Sequence, residues 1–268
     1  MFPWPLLIPL GFLVGTYGAI IGAGGAFVLV PALLYLYPQE GPTVITTISL
    51  AVVFFNSLSG TTAYLKMGRV DLRGGLLFGP ATIPGTVLGA YLIRLVPRPP
   101  FQFSFGLLLL GISLFILIRP EPRPQEPTLT GRRIIDGKGQ TYYYSKDIGV
   151  ATSFGIGFIA GLFGIGGALI QVPVLIYLLN FPTHIATATS LFVLAITSFS
   201  GTATHLILGD FTTGVGLATM GLSLGVVVGA QLGASLSNRF QGPVIARLLA
   251  LGLAAASIHL ISDASPWR

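Results

Sequence analysis

The chain has 268 residues, of which 53% are hydrophobic and 8% charged, and its mean hydropathy is +0.85. Soluble domains carry roughly a quarter charged residues, which excludes water as the solvent for most of this chain. The net charge of +6 does not point to nucleic acid, because the basic residues sit at the ends of apolar stretches and in one central linker rather than along an aromatic-bearing face.

From Met1 to Gln39 there is no Asp, Glu, Lys or Arg. A bilayer is crossed by about 20 apolar residues, so this stretch has room for more than one membrane-embedded piece. Its opening, MFPWPLLIPLGFLVG, lacks the basic n-region and small-residue cleavage pattern of a secretory signal and reads as mature chain. With charges and turn residues as punctuation, apolar segments are predicted at about 6–37, 43–65, 74–95 and 101–118. A second set follows at about 148–179, 183–208, 211–236 and 243–262.

Between the sets, Arg119 to Lys146 is polar and opens with prolines at 120, 122, 124 and 127. Within it, Asp136-Gly137 lies between the β-prone residues Arg133-Ile134-Ile135 and Thr141-Tyr142, which suits a β-hairpin as well as an irregular loop. The predicted organisation is a first membrane repeat over 1–118, a polar linker over 119–146 and a second membrane repeat over 147–268. The expected fold class is an all-α polytopic membrane protein of two homologous repeats with four hydrophobic segments each, about eight in all.

The repeat is legible residue by residue. Gly22-Ala23-Gly24-Gly25-Ala26 with Pro31 and Tyr35 recurs as Gly164-Ile165-Gly166-Gly167-Ala168 with Pro173 and Tyr177. Ser49-Leu50 recurs as Ser190-Leu191, Ser57-x-Ser59-Gly60-Thr61 as Ser198-x-Ser200-Gly201-Thr202, and Gly85-x-x-x-Gly89-Ala90 as Gly225-x-x-x-Gly229-Ala230. Four matches in one order argue for duplication, and repeats with a site at their interface characterise secondary transporters.

Glycines interrupt the first segment of each half, so it either crosses or folds back as a re-entrant hairpin. Four crossings per half make parallel repeats; three crossings and a hairpin make inverted ones. The shortness of the pieces flanking Gly22 to Gly25 favours the hairpin. In both arrangements most of the Lys and Arg residues fall on the linker side, which places the linker in the cytoplasm.

All eight acidic residues, Glu40, Asp71, Glu121, Glu126, Asp136, Asp147, Asp210 and Asp263, fall in predicted loops or at segment ends. A cation carrier or proton pump normally holds its ion on an intramembrane carboxylate. The pattern suits an anion instead, which a buried carboxylate would repel. Cysteine is absent, which removes disulfides, thiolate metal sites and cysteine nucleophiles, and His184, His205 and His259 are too scattered to form a metal cluster. No metal or cofactor is expected.

A helix broken at glycines within lipid is tolerated where the freed backbone faces protein or a wet cavity. Half-helices starting after Gly22, Gly24, Gly25 and after Gly164, Gly166, Gly167 would aim amides and the positive end of a dipole at a small oxyanion or carboxylate. Ser49, Asn56, Ser57 and Thr61 in the first half, and Ser190, Ser198 and Thr202 in the second, are candidate donors; Gln171 is polar within an apolar run and is a further candidate. Small residues and hydroxyls also let membrane helices pack closely, so each has a packing role to set against a binding one.

Pro31 and Pro173 either kink a helix or occupy its opening turns. Tyr64 and its repeat counterpart His205 are wall or gate candidates, His184 beside Pro182 has an interfacial position, and Lys66 and Arg69 lie at a membrane edge where they set topology or attract anions. Nucleotide loops are excluded: neither glycine cluster follows a soluble strand or carries the P-loop Lys-Ser/Thr. Ser190 with His205 is the one faint hydrolase-like pairing, so no catalytic residue is assigned.

Gly161-Leu162-Phe163-Gly164-Ile165-Gly166-Gly167 leading to Val172-Pro173, then Ala186-Thr187-Ala188-Thr189-Ser190-Leu191, resembles the signature of the TauE/SafE-type sulfite exporter and anion permease family. Gly18 to Gly25 with Val30-Pro31, then Thr46-Thr47-Ile48-Ser49, is a weaker copy, with Ile48 where the second has Thr189. The resemblance covers nearly the whole chain outside the linker. It implies a prokaryotic inner-membrane permease of about eight segments that exports sulfite, sulfoacetate or related organosulfur anions, with H+ or Na+ as the coupling ion.

The expected function is therefore a secondary carrier for a small sulfur-containing anion, working by alternating access at the repeat interface, with the lipid bilayer as its other partner and a homo-oligomer compatible with it. An anion channel, or a permease for another carboxylate or oxyanion, is the alternative that the same motifs could build.

Overall fold

The computed structural model describes residues 4–118, 132–135, 141–237 and 242–263. The prolines of the linker, its Asp136-Gly137 turn, Arg239 and Arg268 lie outside the described residues. The described chain is helical almost throughout, as lipid demands: with no water to bond, the backbone of a spanning segment must satisfy itself.

The first half runs from a 3-10 turn, Trp4–Leu6, into α1 (Leu7–Ile21), then α2 (Ala26–Leu36), α3 (Pro42–Lys66), α4 (Leu72–Leu92, extended by a 3-10 turn Ile93–Leu95) and α5 (Arg98–Ile118). Strands β1 (Arg132–Ile135) and β2 (Thr141–Tyr144) pair antiparallel, with Arg132 opposite Tyr144 and Ile135 opposite Thr141. The second half follows as α6 (Lys146–Phe163), α7 (Ala168–Pro173), α8 (Thr183–Ile207), α9 (Thr213–Leu236) and α10 (Gly242–Asp263). A π turn, Val174–Leu178, continues α7 directly after Pro173. Proline has no amide to donate and its ring crowds the preceding turn, which widens the helix at that point.

Six stretches among the described residues are long and apolar enough to cross a membrane: Trp4–Ile21, Pro42–Lys66, Leu72–Leu95, Lys146–Phe163, Thr183–Ile207 and Thr213–Leu236. At 1.5 Å per residue, the 25 residues of α3 and of α8 are about 37 Å long, against a hydrocarbon core of about 30 Å. Ala26–Leu36 and Ala168–Leu178 are apolar but shorter, about 16 Å each. Of the pieces flanking each glycine break, therefore, only the second is short; the first, Trp4–Ile21 or Lys146–Phe163, is long enough to cross, contrary to the expectation that both are short.

The helices pair in an exchanged pattern. α1 packs along α9 and α4 along α6, so the first helix of each half lies against the fourth helix of the other, while α3 and α8 pack on each other at the centre. Glycine makes this approach close: a Cβ on Gly225 or Gly229 would strike the carbonyls of Ile8 or Phe12, and one on Gly85 or Gly89 those of Phe154 or Phe158. The two copies of the Gly-x-x-x-Gly repeat thus do one job in both halves, the small-residue packing that stands in for a hydrophobic drive in lipid.

Polar side chains are buried alongside a large apolar core that includes Phe27, Phe78, Phe101 and Phe105, while many other large apolar side chains face outward. Thr46, Ser49, Asn56, Thr187, Ser190 and Thr197 are fully buried or nearly so, while Leu13, Leu76, Leu107, Phe199, Val228 and Leu251 are exposed.

Two clusters mark the opposite ends of α4, whose 21 residues span about 32 Å. At its start, Tyr144 packs on Phe181 and Phe78 with ring centroids 4.9 and 5.8 Å apart, and its hydroxyl lies 3.3 Å from Asp71 Oδ2. The Asp71 amide donates to Thr189 Oγ1 at 3.0 Å. At the other end, Arg94 Nη2 is 3.2 Å from Asp210 Oδ1, and Arg98 donates to the carbonyls of Leu34, Tyr37, Pro38 and Glu40.

Candidate functional site

Each glycine loop is shaped by left-handed backbone. Gly22, Gly24 and Gly25 have φ of 79°, 69° and 74°, and Gly164, Gly166 and Gly167 have 71°, 67° and 92°. Only glycine adopts such angles freely, so the three-glycine pattern is what stops α1 and α6 and restarts the chain as α2 and α7. In the first loop the carbonyl of Gly18 accepts the amides of Gly22, Ala23 and Gly24 at 2.9, 3.1 and 3.2 Å. Those three amides are therefore spent on α1. At the starts of α2 and α7 the caps, Gly25 and Gly167, carry no side chain to bond the first amides, while the amides of Val28 and Ile170 donate to the Gly25 and Gly167 carbonyls at 3.1 Å each.

The loops are held by the opposite half. Ser49 Oγ donates to the carbonyl of Gly164 at 2.7 Å, and Ser190 Oγ donates to that of Gly22 at 2.9 Å. A Cβ on Gly22 would meet Thr187, and one on Gly164 would meet Thr46, the repeat counterpart of Thr187. The repeated Ser-Leu element is thus a cross-half loop clamp.

The two loops converge on one place. A Cβ on Gly24 would meet the Cδ2 methyl of Leu194 and one on Gly166 its Cδ1 methyl, and both would lie within 3.4 Å of Val53 Cγ1. Val53 and Leu194 are fully buried and fill the space between the loops. Asn56 closes the first-half side, its Nδ2 donating to the Gly24 carbonyl at 2.7 Å.

The other predicted residues divide. Ser57 donates to the carbonyl of Phe54 at 3.0 Å, Ser198 to that of Leu194 and Thr202 to that of Ser198 at 2.7 Å, all within their own helices. Tyr64 donates to the Ala19 carbonyl at 2.9 Å, pinning α3 to α1 rather than lining the loops. His205 pairs with Asp210 beyond the end of α8, with Nδ1 to Oδ2 at 2.8 Å. Left open are both amide atoms of Gln171, Oδ1 of Asn56, Oγ1 of Thr61 and Nε2 of His205, all buried without a hydrogen-bond partner. A buried, unsatisfied polar atom costs roughly 1–3 kcal/mol, so these atoms mark where the fold accepts a penalty. Val53 and Leu194 escaped the sequence reading because apolar residues in an apolar run carry no signal; their equivalence under the repeat was the one available clue.

The described acidic residues lie at helix ends or in connections: Asp71 precedes α4, Asp147 lies in the first turn of α6, Asp263 is the last residue of α10, and Glu40 and Asp210 are in connections. The described residues also contain no group of three or more His, Cys, Asp or Glu suited to a metal.

A family model described as Sulfite exporter TauE/SafE matches residues 7–260. The chain is 35% identical to the probable membrane transporter protein YunE of Bacillus subtilis over 96% of this chain and 97% of that protein. It is 29% identical to the probable membrane transporter protein YdhB of the same organism, over 96% of this chain and 99% of that one. A third relative, the probable membrane transporter protein MJ0441 of Methanocaldococcus jannaschii, is 26% identical over 75% of this chain and 72% of its own length. No solved structure matches the chain.

Proposed function

Because the chain belongs to the TauE/SafE sulfite exporter family, and is thus an integral membrane transporter rather than an enzyme, we propose that it is a secondary carrier for a small sulfur-containing anion such as sulfite or an organosulfonate. The observation that carries this reading is the meeting of the two glycine loops, from opposite halves, at the single side chain of Leu194. Two glycine loops that meet at one apolar plug, each followed directly by the start of a half-helix, suit a small anion that displaces the plug. One half-helix terminus offers up to about 2 kcal/mol when partly buried, so selection needs both termini together with the open polar atoms of Gln171 and Asn56.

In this reading the halves are inverted repeats, each opening with a re-entrant hairpin. The support is the grouping of chain ends: Tyr144, before α6, packs on Phe181, before α8. The linker then lies in the cytoplasm of a prokaryotic inner membrane. Transport proceeds by rocking one half against the other around the loops.

The test is counterflow in liposomes holding the purified chain, with sulfite, sulfoacetate and thiosulfate as probes. Saturable exchange of labelled anion is expected, and it should vanish in Gly167→Leu. Single-channel currents in place of counterflow would instead identify an anion channel, and unchanged flux in the variant would remove the loops from the pathway.

A further inference from the structure

His205, in the last turn of α8, is fully buried, and its Nδ1 lies 2.8 Å from Asp210 Oδ2. The second carboxylate oxygen is 3.2 Å from Arg94 Nη2, which also donates to the Leu208 carbonyl at 3.4 Å. The amide of Asp210 donates to the His205 carbonyl at 3.0 Å, so the turn after α8 fixes the carboxylate beside the ring. His205 Nε2 is buried and has no partner. Arg94 belongs to the first half and the other two residues to the second, so the trio clasps the halves together at the end of α4 remote from the linker.

We propose that this trio is the binding site for a proton coupled to anion transport, taken up on Nε2 of His205. The inference rests on the carrier reading above. With Nδ1–H donating to Asp210, neutral imidazole leaves Nε2 as a lone-pair acceptor. A proton drawn from water binds there, the imidazolium is held by Asp210, and the trio passes from net zero to net +1. No other group changes its charge.

The surrounding charges leave His205 as the titrating member. α8 packs against α3, α4, α6 and α7 with its π turn. Lys66 of α3, Arg73 of α4, and Lys146 and Asp147 of α6 all lie at the opposite ends of those helices, and α7 carries no charge. On the same face, Arg98 donates to four backbone carbonyls and Glu40 sits beside it.

The repeat makes the site one-sided. Tyr64 and Arg69 hold the positions of His205 and Asp210 in the first half, and Tyr64 donates to a backbone carbonyl instead. A proton site present at one face only, and built into a contact that rocking must break, binds its proton with different affinity in the two states. That difference is what coupling requires.

The experiment uses the full chain in liposomes with labelled sulfoacetate, whose charge is constant between about pH 6 and 8 because its carboxyl ionises near pH 4. Wild-type protein should drive net sulfoacetate flux from an imposed pH gradient. His205→Gln should keep counterflow while driven flux falls at least tenfold, and Asp210→Asn should lose driven flux as well. Driven flux that persists in His205→Gln while counterflow is normal overturns the proton site and leaves the carrier reading intact. Absence of wild-type counterflow counts against the carrier reading, and the proton site is then judged on purified protein. There, the melting temperature of wild type should change between pH 5 and 8 in a way that His205→Gln lacks, and identical curves overturn it.

Discussion

Ser49 and Ser190 hold equivalent positions in the two halves and make the same hydrogen bond in opposite directions, each to the first glycine carbonyl of the other half's loop, at 2.7 and 2.9 Å. The bonds cross the interface where α3 meets α8, so each loop is held in part by the half to which it does not belong. Under the proposed rocking mechanism, a loop held in this way would shift as the halves move, which would tie loop geometry to conformational state.

Ser49→Ala and Ser190→Ala should each destabilise the protein by about 1–3 kcal/mol, because each leaves a buried glycine carbonyl without its donor. Thermal unfolding of the two variants and their double in one detergent is the measurement. Ser190 has a second acceptor, the Thr187 carbonyl at 2.9 Å, so Ser49→Ala is expected to cost at least as much. Melting unchanged from wild type in either single variant would show that the clamp holds nothing.

The glycines should not tolerate substitution equally. Gly22→Ala and Gly164→Ala put a methyl against backbone atoms of Thr187 and Thr46, which cannot move aside, as well as forcing an unfavourable positive φ. Gly24→Ala and Gly166→Ala meet the methyl ends of Leu194, so combining either with Leu194→Ala should recover part of the lost stability. The expected order of melting temperature is Gly166→Ala with Leu194→Ala above Gly166→Ala, and Gly164→Ala lowest with no recovery from Leu194→Ala. Leu194→Ala alone should cost roughly 2–5 kcal/mol as a cavity, and in liposomes it should shift preference from sulfite toward the larger sulfoacetate.

The chain has no cysteine, so single cysteines can report sidedness directly. The proposed inverted arrangement predicts that Ser145→Cys and Thr183→Cys label from one side of the membrane and Gly41→Cys from the other. An arrangement with four crossings per half predicts opposite sides for Ser145 and Thr183. Impermeant maleimide applied to right-side-out and inverted vesicles distinguishes the two.

What could be read from the sequence followed from patterns with a physical period or a conformational necessity. Segment limits were legible because charges and turn residues punctuate apolar runs: 43–65 and 183–208 were expected, and Pro42–Lys66 and Thr183–Ile207 are observed. The breaks at Gly22 to Gly25 and Gly164 to Gly167 were legible because three glycines so close together signal left-handed backbone. What escaped were pairings made in space. Ser57 and Ser198 look like Ser49 and Ser190 as residues, yet the first two bond within their own helices and the second two reach across the interface. The bond of His205 to Asp210 escaped too, because a carboxylate at a segment end reads as solvated until the turn is seen to fold it under the ring.

Gln171 offers the sharpest separation of stability from function. Its carboxamide is buried, and neither its oxygen nor its nitrogen has a hydrogen-bond partner, while its repeat counterpart in α2 is Leu29. The second half therefore carries a polar group where the first accommodates an apolar side chain, at a penalty of roughly 1–3 kcal/mol for an unsatisfied amide. Packing alone would favour leucine here, so a polar residue is explained if the amide serves the guest. Gln171→Leu should accordingly raise the melting temperature and lower anion counterflow together. A variant that melts lower than wild type would mean that the amide is satisfied in the protein, and a stabilised variant with full counterflow would remove Gln171 from the site.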